Sequence, residues 1–217
     1  MAHRRKPLAA ALALNSSVLI IEIVSGVGAN SNSLIMDGLH NLSDEIALAF
    51  LLVAYSVPTG LSSKFLRFAN LFNSFGLLGM SGLLIWQCIE HISRPPPVLG
   101  VVPIVAGLLG ALGNCGVARM LRIPSREDPA IRLAYVHNLG DTLVSLIPVA
   151  AGALVTATGD PIFDPLLALA IGAVIIGTTA QSIVGRHDEL FWPERVLCGH
   201  EIDATACQIG APEREIS

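Results

Sequence analysis

The chain has 217 residues, of which 53% are hydrophobic and 14% charged, against roughly 25% charged in an ordinary soluble domain. With a clearly positive mean hydropathy, this excludes an ordinary soluble domain and predicts an all-α integral membrane protein; no nucleic-acid partner is expected. The formal net charge of -4 does not describe an acidic surface, because the charges are placed unevenly along the chain.

A basic start, Met1 to Lys6, precedes an apolar run from Leu8 to about Ala29. That run has the roughly 20 residues that span a bilayer, where a signal-peptide apolar region has 7 to 15, so it reads as a first membrane helix rather than a cleaved leader. Six such segments follow one another, at about 8–29, 33–57, 66–90, 98–118, 131–156 and 162–184. The connectors between them are short and rich in Asn, Gly and Pro, as in Arg94-Pro95-Pro96-Pro97 and Thr158-Gly159-Asp160-Pro161. Residues 1–184 are therefore expected to form one six-helix membrane domain, and 185–217 a short acidic tail. That tail holds Cys198, His200 and Cys207, whose spacing matches no standard zinc module.

Lysine and arginine set the orientation, since cytoplasmic loops carry the excess. If the chain starts inside, twelve of the thirteen fall on the cytoplasmic side and only Arg94 outside, so both termini are expected in the cytoplasm. Trp86 and Phe163 then suit the outer interface, and Phe65, Phe191 and Trp192 the inner one. Glu90 and His91 stand near the outer end of the third helix. Glycines 76, 79 and 82 in the third segment and 107, 110, 113 and 116 in the fourth predict close helix packing. The four cysteines, at 88, 115, 198 and 207, have no paired spacing and read as free, mostly buried thiols.

The second segment departs from this apolar background. Asp37, His40 and Asp44 fall at i, i+3 and i+7, one face of a helix, with His40 and Asp44 four apart. His137-x-x-x-Asp141 repeats that spacing in the fifth segment. Ionisable groups in a bilayer are costly and normally face the bundle interior on ion pathways. At 1.5 Å per residue, Asp44 lies about 16 Å from the outer boundary and Asp141 about 15 Å from the inner one, so both reach the middle of a core about 30 Å thick. His40, Asp44, His137 and Asp141 are expected to close around one ion. Two imidazoles and two carboxylates suit tetrahedral zinc, with cobalt, cadmium or iron(II) as alternatives, whereas magnesium and calcium want mostly oxygen. Because histidine gives up a proton to bind metal, the set is equipped to exchange a cation for protons.

Glu22 and Asp37 are candidates for groups that support the ligands or carry protons, with Asp37 placed on the outward path. Asn15, Asn70, Asn73, Asn114 and Gln181 read as hydrogen bonds between helices. Asp160 and Asp164 flank Pro161 and fit a helix start.

At these residues the chain resembles the cation diffusion facilitators, a family of zinc and related metal transporters. The likeness rests on Asn15, Glu22, Gly26, Ser33-Leu34 and Asp37-Gly-x-His40-x-x-x-Asp44, on Glu90, Arg94, Pro97 and Asn114, and on His137-x-x-x-Asp141 with Ser145 and Asp160-Pro161. The resemblance implies a six-helix bundle, usually a homodimer, that exports a divalent metal from the cytoplasm against protons by alternating access. The expected location is multi-pass in a plasma membrane, the inner membrane of a bacterium. The paired His and Asp set is similar to the zinc-preferring members; relatives with three or four carboxylates have Asp at a His position. Most members continue into a cytoplasmic ferredoxin-like domain, and this chain reads as a short member without it, so regulation and dimerisation through such a domain are not expected. The connectors hold no histidine-rich run and no second metal cluster. A membrane zinc sensor or accessory subunit that binds metal without moving it is the alternative. An intramembrane metallohydrolase is not expected, since no His-Glu-x-x-His is present and no spare glutamate flanks the histidines.

Overall fold

The computed structural model describes residues 2–56 and 63–184, with side chains for all of these except 2–4, 55, 63–74, 129–130 and 182–184. Among the described residues the elements are α1 (Ala2–Ala29), α2 (Asn32–Ser56), α3 (Ser63–Ser93), α4 (Val101–Leu121), a 3-10 turn at Pro124–Arg126, α5 (Pro129–Val144), α6 (Leu146–Thr158) and α7 (Phe163–Val184). The protein is an all-α membrane bundle. Five stretches are long and apolar enough to cross a membrane: Arg5–Ala29, Phe75–Ser93, Val101–Leu121, Ile131–Thr158 and Phe163–Gln181. The remaining long helix, α2, has 25 residues but is made less apolar by Asp37, His40, Asn41, Asp44 and Glu45. It tolerates them by packing against α1, α3, α4, α6 and α7, which keeps its polar side from lipid. The outward faces are apolar instead, with Val24, Leu83, Trp86, Leu112 and Leu143 all exposed, as a lipid-facing belt requires.

Two apolar clusters flank α2 along its length. Met36 and Leu39 of its first half pack with Leu77, Ile171 and Ile175. Leu48 and Leu51 of its second half pack with Leu8, Ala11, Val117, Leu121 and Ile131. Residues 40–44 lie between the two.

Local chemistry sets the helix ends. α1 stops because Asn30 takes a left-handed conformation (φ 54°), and the amides of Ser31 and Asn30 return to the carbonyls of Gly26 and Val27 at 2.9 and 3.4 Å. This pair of reversed bonds satisfies the last carbonyls and turns the chain directly into α2. α5 starts with Asp128, whose Oδ1 accepts the Ile131 amide at 3.3 Å, followed by Pro129, which suits the first helical position.

The fifth expected segment, 131–156, is two helices. The ladder breaks at Ser145, between α5 and α6, because Pro148 has no amide proton to give the Val144 carbonyl. The fourth helix begins at Val101 rather than 98, after the Pro-rich connector. Glycines of α4 are packed as expected: a Cβ at 107, 110, 113 or 116 would press on Val149, Glu22, Val18 or Leu14 respectively. Those of α3 are not, since a Cβ at Gly76, Gly79 or Gly82 would meet nothing within 4 Å. Cys88 is buried but Cys115 is exposed, so the expectation of mostly buried thiols fails at Cys115, which faces outward from α4. Gln181 is likewise exposed rather than placed between helices. Cys198, His200, Cys207, Phe191 and Trp192 lie outside the described residues, as do the side chains of Phe65, Asn70 and Asn73.

Asp164 stands in the first turn of α7, as expected, but its carboxylate serves α2. It is fully buried and accepts the backbone amides of Asn32 and Ser33 at 2.5 and 3.3 Å and the hydroxyls of Ser31 and Ser33 at 2.7 and 2.6 Å. An anion is favoured at a helix N-terminus, where amides are otherwise unpaired. Beside it, Asn32 Nδ2 meets His91 Nδ1 at 2.8 Å, so His91 is tied into the bundle while Glu90 is exposed. Asp164→Ala is expected to remove about 2 kcal/mol of stability, with Asp164→Asn losing less. Melting curves in detergent check this, and an Ala variant that melts with the wild type contradicts the assignment.

Candidate metal centre

α2 and α5 bring the two motifs together. His40 Nε2 lies 2.9 Å from Asp141 Oδ1, and His137 Nε2 lies 2.7 Å from Asp44 Oδ1. Each histidine thus pairs with the carboxylate of the other helix, and His137 Nε2 stands 3.8 Å from Asp141 Oδ2 on its own. The imidazoles meet edge to face with centroids 5.6 Å apart. One ligand atom from each of the four residues can be chosen so that all lie within 4.8 Å of one another.

The set is enclosed on one side only. Asp44, Asp141 and His40 are 5%, 3% and 7% exposed, while the His137 side chain is 48% exposed. Oδ2 of Asp44 and of Asp141, and Nδ1 of His40, are buried with no hydrogen-bond partner. Buried polar atoms are rarely left so, and a cation among the four residues would supply the carboxylates with their missing partner. The donor set of two nitrogens and two carboxylates fits a tetrahedral, borderline-soft ion. Arginine and lysine are absent from 7–63 and 133–184, the stretches that contain the quartet, and among the described residues none is paired with it.

Polar contacts behind the ligands tie α2 to α1 and α5 to α4. Asn41, next to His40, donates to Glu22 Oε2 at 2.6 Å. Asn15 Nδ2 donates to the Asn41 carbonyl at 3.1 Å and to Glu45 Oε2 at 3.0 Å, and Ser16 Oγ makes a short bond to the other Glu45 oxygen. Asn114 of α4 donates to Ser145 Oγ at 3.1 Å, beside the helix break. Glu45 was not singled out by spacing, because it lies off the face shared by Asp37, His40 and Asp44; the signal available was a second carboxylate beside Asp44 with Asn15 and Ser16 unexplained in α1. Asp37 is 1% exposed; its polar neighbours are Ser145 and Glu22. Neither Glu22 nor Asp37 belongs to the quartet.

Residues 8–190 match the family model of the cation efflux transmembrane domain. The zinc transporter ZitB of Pectobacterium atrosepticum is 27% identical over 180 residues, covering 79% of this chain and 56% of that protein. The metal cation efflux system protein CzcD of Cupriavidus metallidurans is 29% identical over 182 residues, covering 80% and 58%. A Bacillus subtilis protein named cadmium, cobalt and zinc/H(+)-K(+) antiporter is 26% identical over 182 residues, covering 79% and 58%. The chain therefore spans between 56% and 60% of the length of such relatives. Since the family model takes in nearly the whole helical bundle and both His-x-x-x-Asp helices, the chain belongs to the cation efflux family through its transmembrane domain.

Proposed function

We propose that the chain carries a divalent metal, zinc by preference, out of the cytoplasm in exchange for protons. The observation that supports this most directly is the crossed quartet of His40, Asp44, His137 and Asp141. A ring nitrogen and a carboxylate oxygen at 2.7–2.9 Å need one proton between them, since two bare lone pairs repel. Zinc needs those same lone pairs. Metal and protons therefore compete for one set of atoms, which is the chemical requirement of an antiporter.

Alternating access fits the way the ligands are mounted. His40 and Asp44 sit on α2, bound along its length to α1 and α7; His137 and Asp141 sit on α5, which ends at the break at Ser145. A site divided two and two between separately mounted helices can be opened from either side by tilting one against the other. The twelve-to-one distribution of basic residues supports cytoplasmic termini; export is the direction of transport, across the plasma membrane, the inner membrane of a bacterium like those of the relatives. Cobalt, cadmium and iron(II) share the ligand preferences and are secondary substrates. In a homodimer, the open glycine face of α3 is the surface available for the partner copy.

Asp44→Ala and Asp141→Ala are each expected to bring zinc flux in vesicles down to the level of protein-free vesicles; undiminished flux in either sinks the site. Saturable zinc binding without flux in the wild type would instead assign a sensor or accessory subunit. His137→Asp is expected to shift preference from zinc toward manganese, because oxygen ligands suit the harder ion. Competition between the two metals in the same assay reads this, and an unchanged ratio means His137 does not select the metal.

A further inference from the structure

The carboxylates of Glu22 and Asp37 stand outside the metal quartet; among the described residues His40 bears electrostatically on Asp37, and no arginine or lysine is paired with either. Glu22 is fully buried and Asp37 is 1% exposed. Each is among the other's polar neighbours, with Ser145 beside Asp37. Only Glu22 Oε2 is satisfied, by Asn41; Glu22 Oε1 and both Asp37 oxygens are buried with no hydrogen bond. The side-chain Oδ1 atoms of Asn41 and Asn114, whose Nδ2 groups donate to Glu22 and to Ser145, are also without partners.

The space is built into the backbone. A Cβ at Gly110 of α4 would run into Glu22 Oε1, with Ser145 Cβ next nearest, whereas one at Gly38 of α2 would press first on Ile23 and then on Glu22 Cβ. Gly110 thus makes room for the Glu22 carboxylate. No lysine or arginine occurs in 7–63, 95–118 or 133–184, the stretches that surround the pair. His40, one turn along α2, has its Nε2 engaged with Asp141.

We propose that Glu22 and Asp37, with Ser145, form a second cation site that takes an alkali-metal ion and serves as the seat of a counter-ion to zinc. The donors are all oxygen, which selects hard cations and gives zinc no nitrogen or sulfur. An alkali ion takes several oxygen ligands at once, and the three open carboxylate oxygens, with the Ser145 hydroxyl beside Asp37, offer that donor set. Asp37 is separated from Asp44 by about 10 Å of helix rise, so the two ions occupy different places in the same bundle. The counter-ion role rests on the export reading above, whereas the binding does not.

The test uses the full chain, purified in detergent without zinc, and measures equilibrium binding of radioactive rubidium, as a potassium stand-in, and of radioactive sodium. Saturable binding of one of them is expected, and which one distinguishes a potassium-like from a sodium-like site. Glu22→Gln, Asp37→Asn and Gly110→Ala are each expected to weaken it about tenfold or more, while Asp44→Ala, which disables the zinc quartet, keeps it. Zinc binding by the Glu22 and Asp37 variants verifies that they are folded. Failure of both ions to bind saturably to wild-type protein that binds zinc overturns the site and leaves protonation as the means of neutralising the pair. Binding that survives both carboxylate substitutions overturns it equally. In vesicles, zinc flux accelerated by an opposing gradient of the bound ion, and indifferent to it in Asp37→Asn, establishes the counter-ion; wild-type flux indifferent to that gradient overturns that role.

Discussion

An ionised carboxylate in a lipid-embedded bundle must find a cation, a proton or a set of hydrogen-bond donors, because the surrounding medium offers none. α2 carries three such groups, Asp37, Asp44 and Glu45, and each is met differently. Asp44 is met by His137 from α5, Glu45 by Asn15 and Ser16 from α1, and Asp37 by little but Ser145 and Glu22. Helices with outward faces of leucine and valine gain nothing by associating in lipid through hydrophobicity, since lipid is equally apolar. Much of the arrangement around α2 therefore follows from where its polar side chains find partners.

Close packing joins the helices further. α1 and α2 are joined by the reversed turn at Asn30, by the Asn15–Glu45 and Asn41–Glu22 bonds, and by Gly26 and Gly38, where a Cβ would press on Ile35 or on Ile23 and Glu22. α4 is joined to α1, where Gly110, Gly113 and Gly116 meet Glu22, Val18 and Leu14, and to α6, since Gly100 and Gly152 approach so closely that neither tolerates a Cβ without displacing the other's backbone or its neighbours. α5, ended by Ser145 and Pro148, packs chiefly against α4. Its two ligands contact α2 through the crossed pairs, whereas its continuation as α6 follows α4.

The sequence made the bundle and the quartet legible because both rest on simple signals: apolar length, and a repeated four-residue spacing of histidine and aspartate. The broken fifth helix was less so. Pro148 is a proper signal, but membrane helices often accommodate proline without a break, and spacing does not decide between the two outcomes. Asp164 illustrates a different limit. Its place at a helix start was readable, yet its partners are 131 to 133 residues away, and no local pattern says that a carboxylate will cap a helix other than its own. The glycines divide for the same reason: those of α3 and α4 are alike in spacing, and only the neighbours that α4 meets make its own indispensable.

The two ends of α2 are closed by unlike forces, and this bears on how an ion reaches the quartet. At the N-terminal end the Asp164 carboxylate binds amides and hydroxyls at fixed geometry, with Asn32 and His91 alongside. At the C-terminal end Leu48 and Leu51 meet Leu8, Val117, Leu121 and Ile131, a contact with no directional bond. Directional bonds fix the relative geometry of the groups they join, whereas apolar contact is non-directional. His137, the one exposed ligand, lies in α5 closer to the apolar end than Asp141 does. Under the export reading that end is the cytoplasmic one, so the exposed ligand and the closure without directional bonds lie on the same side of the quartet.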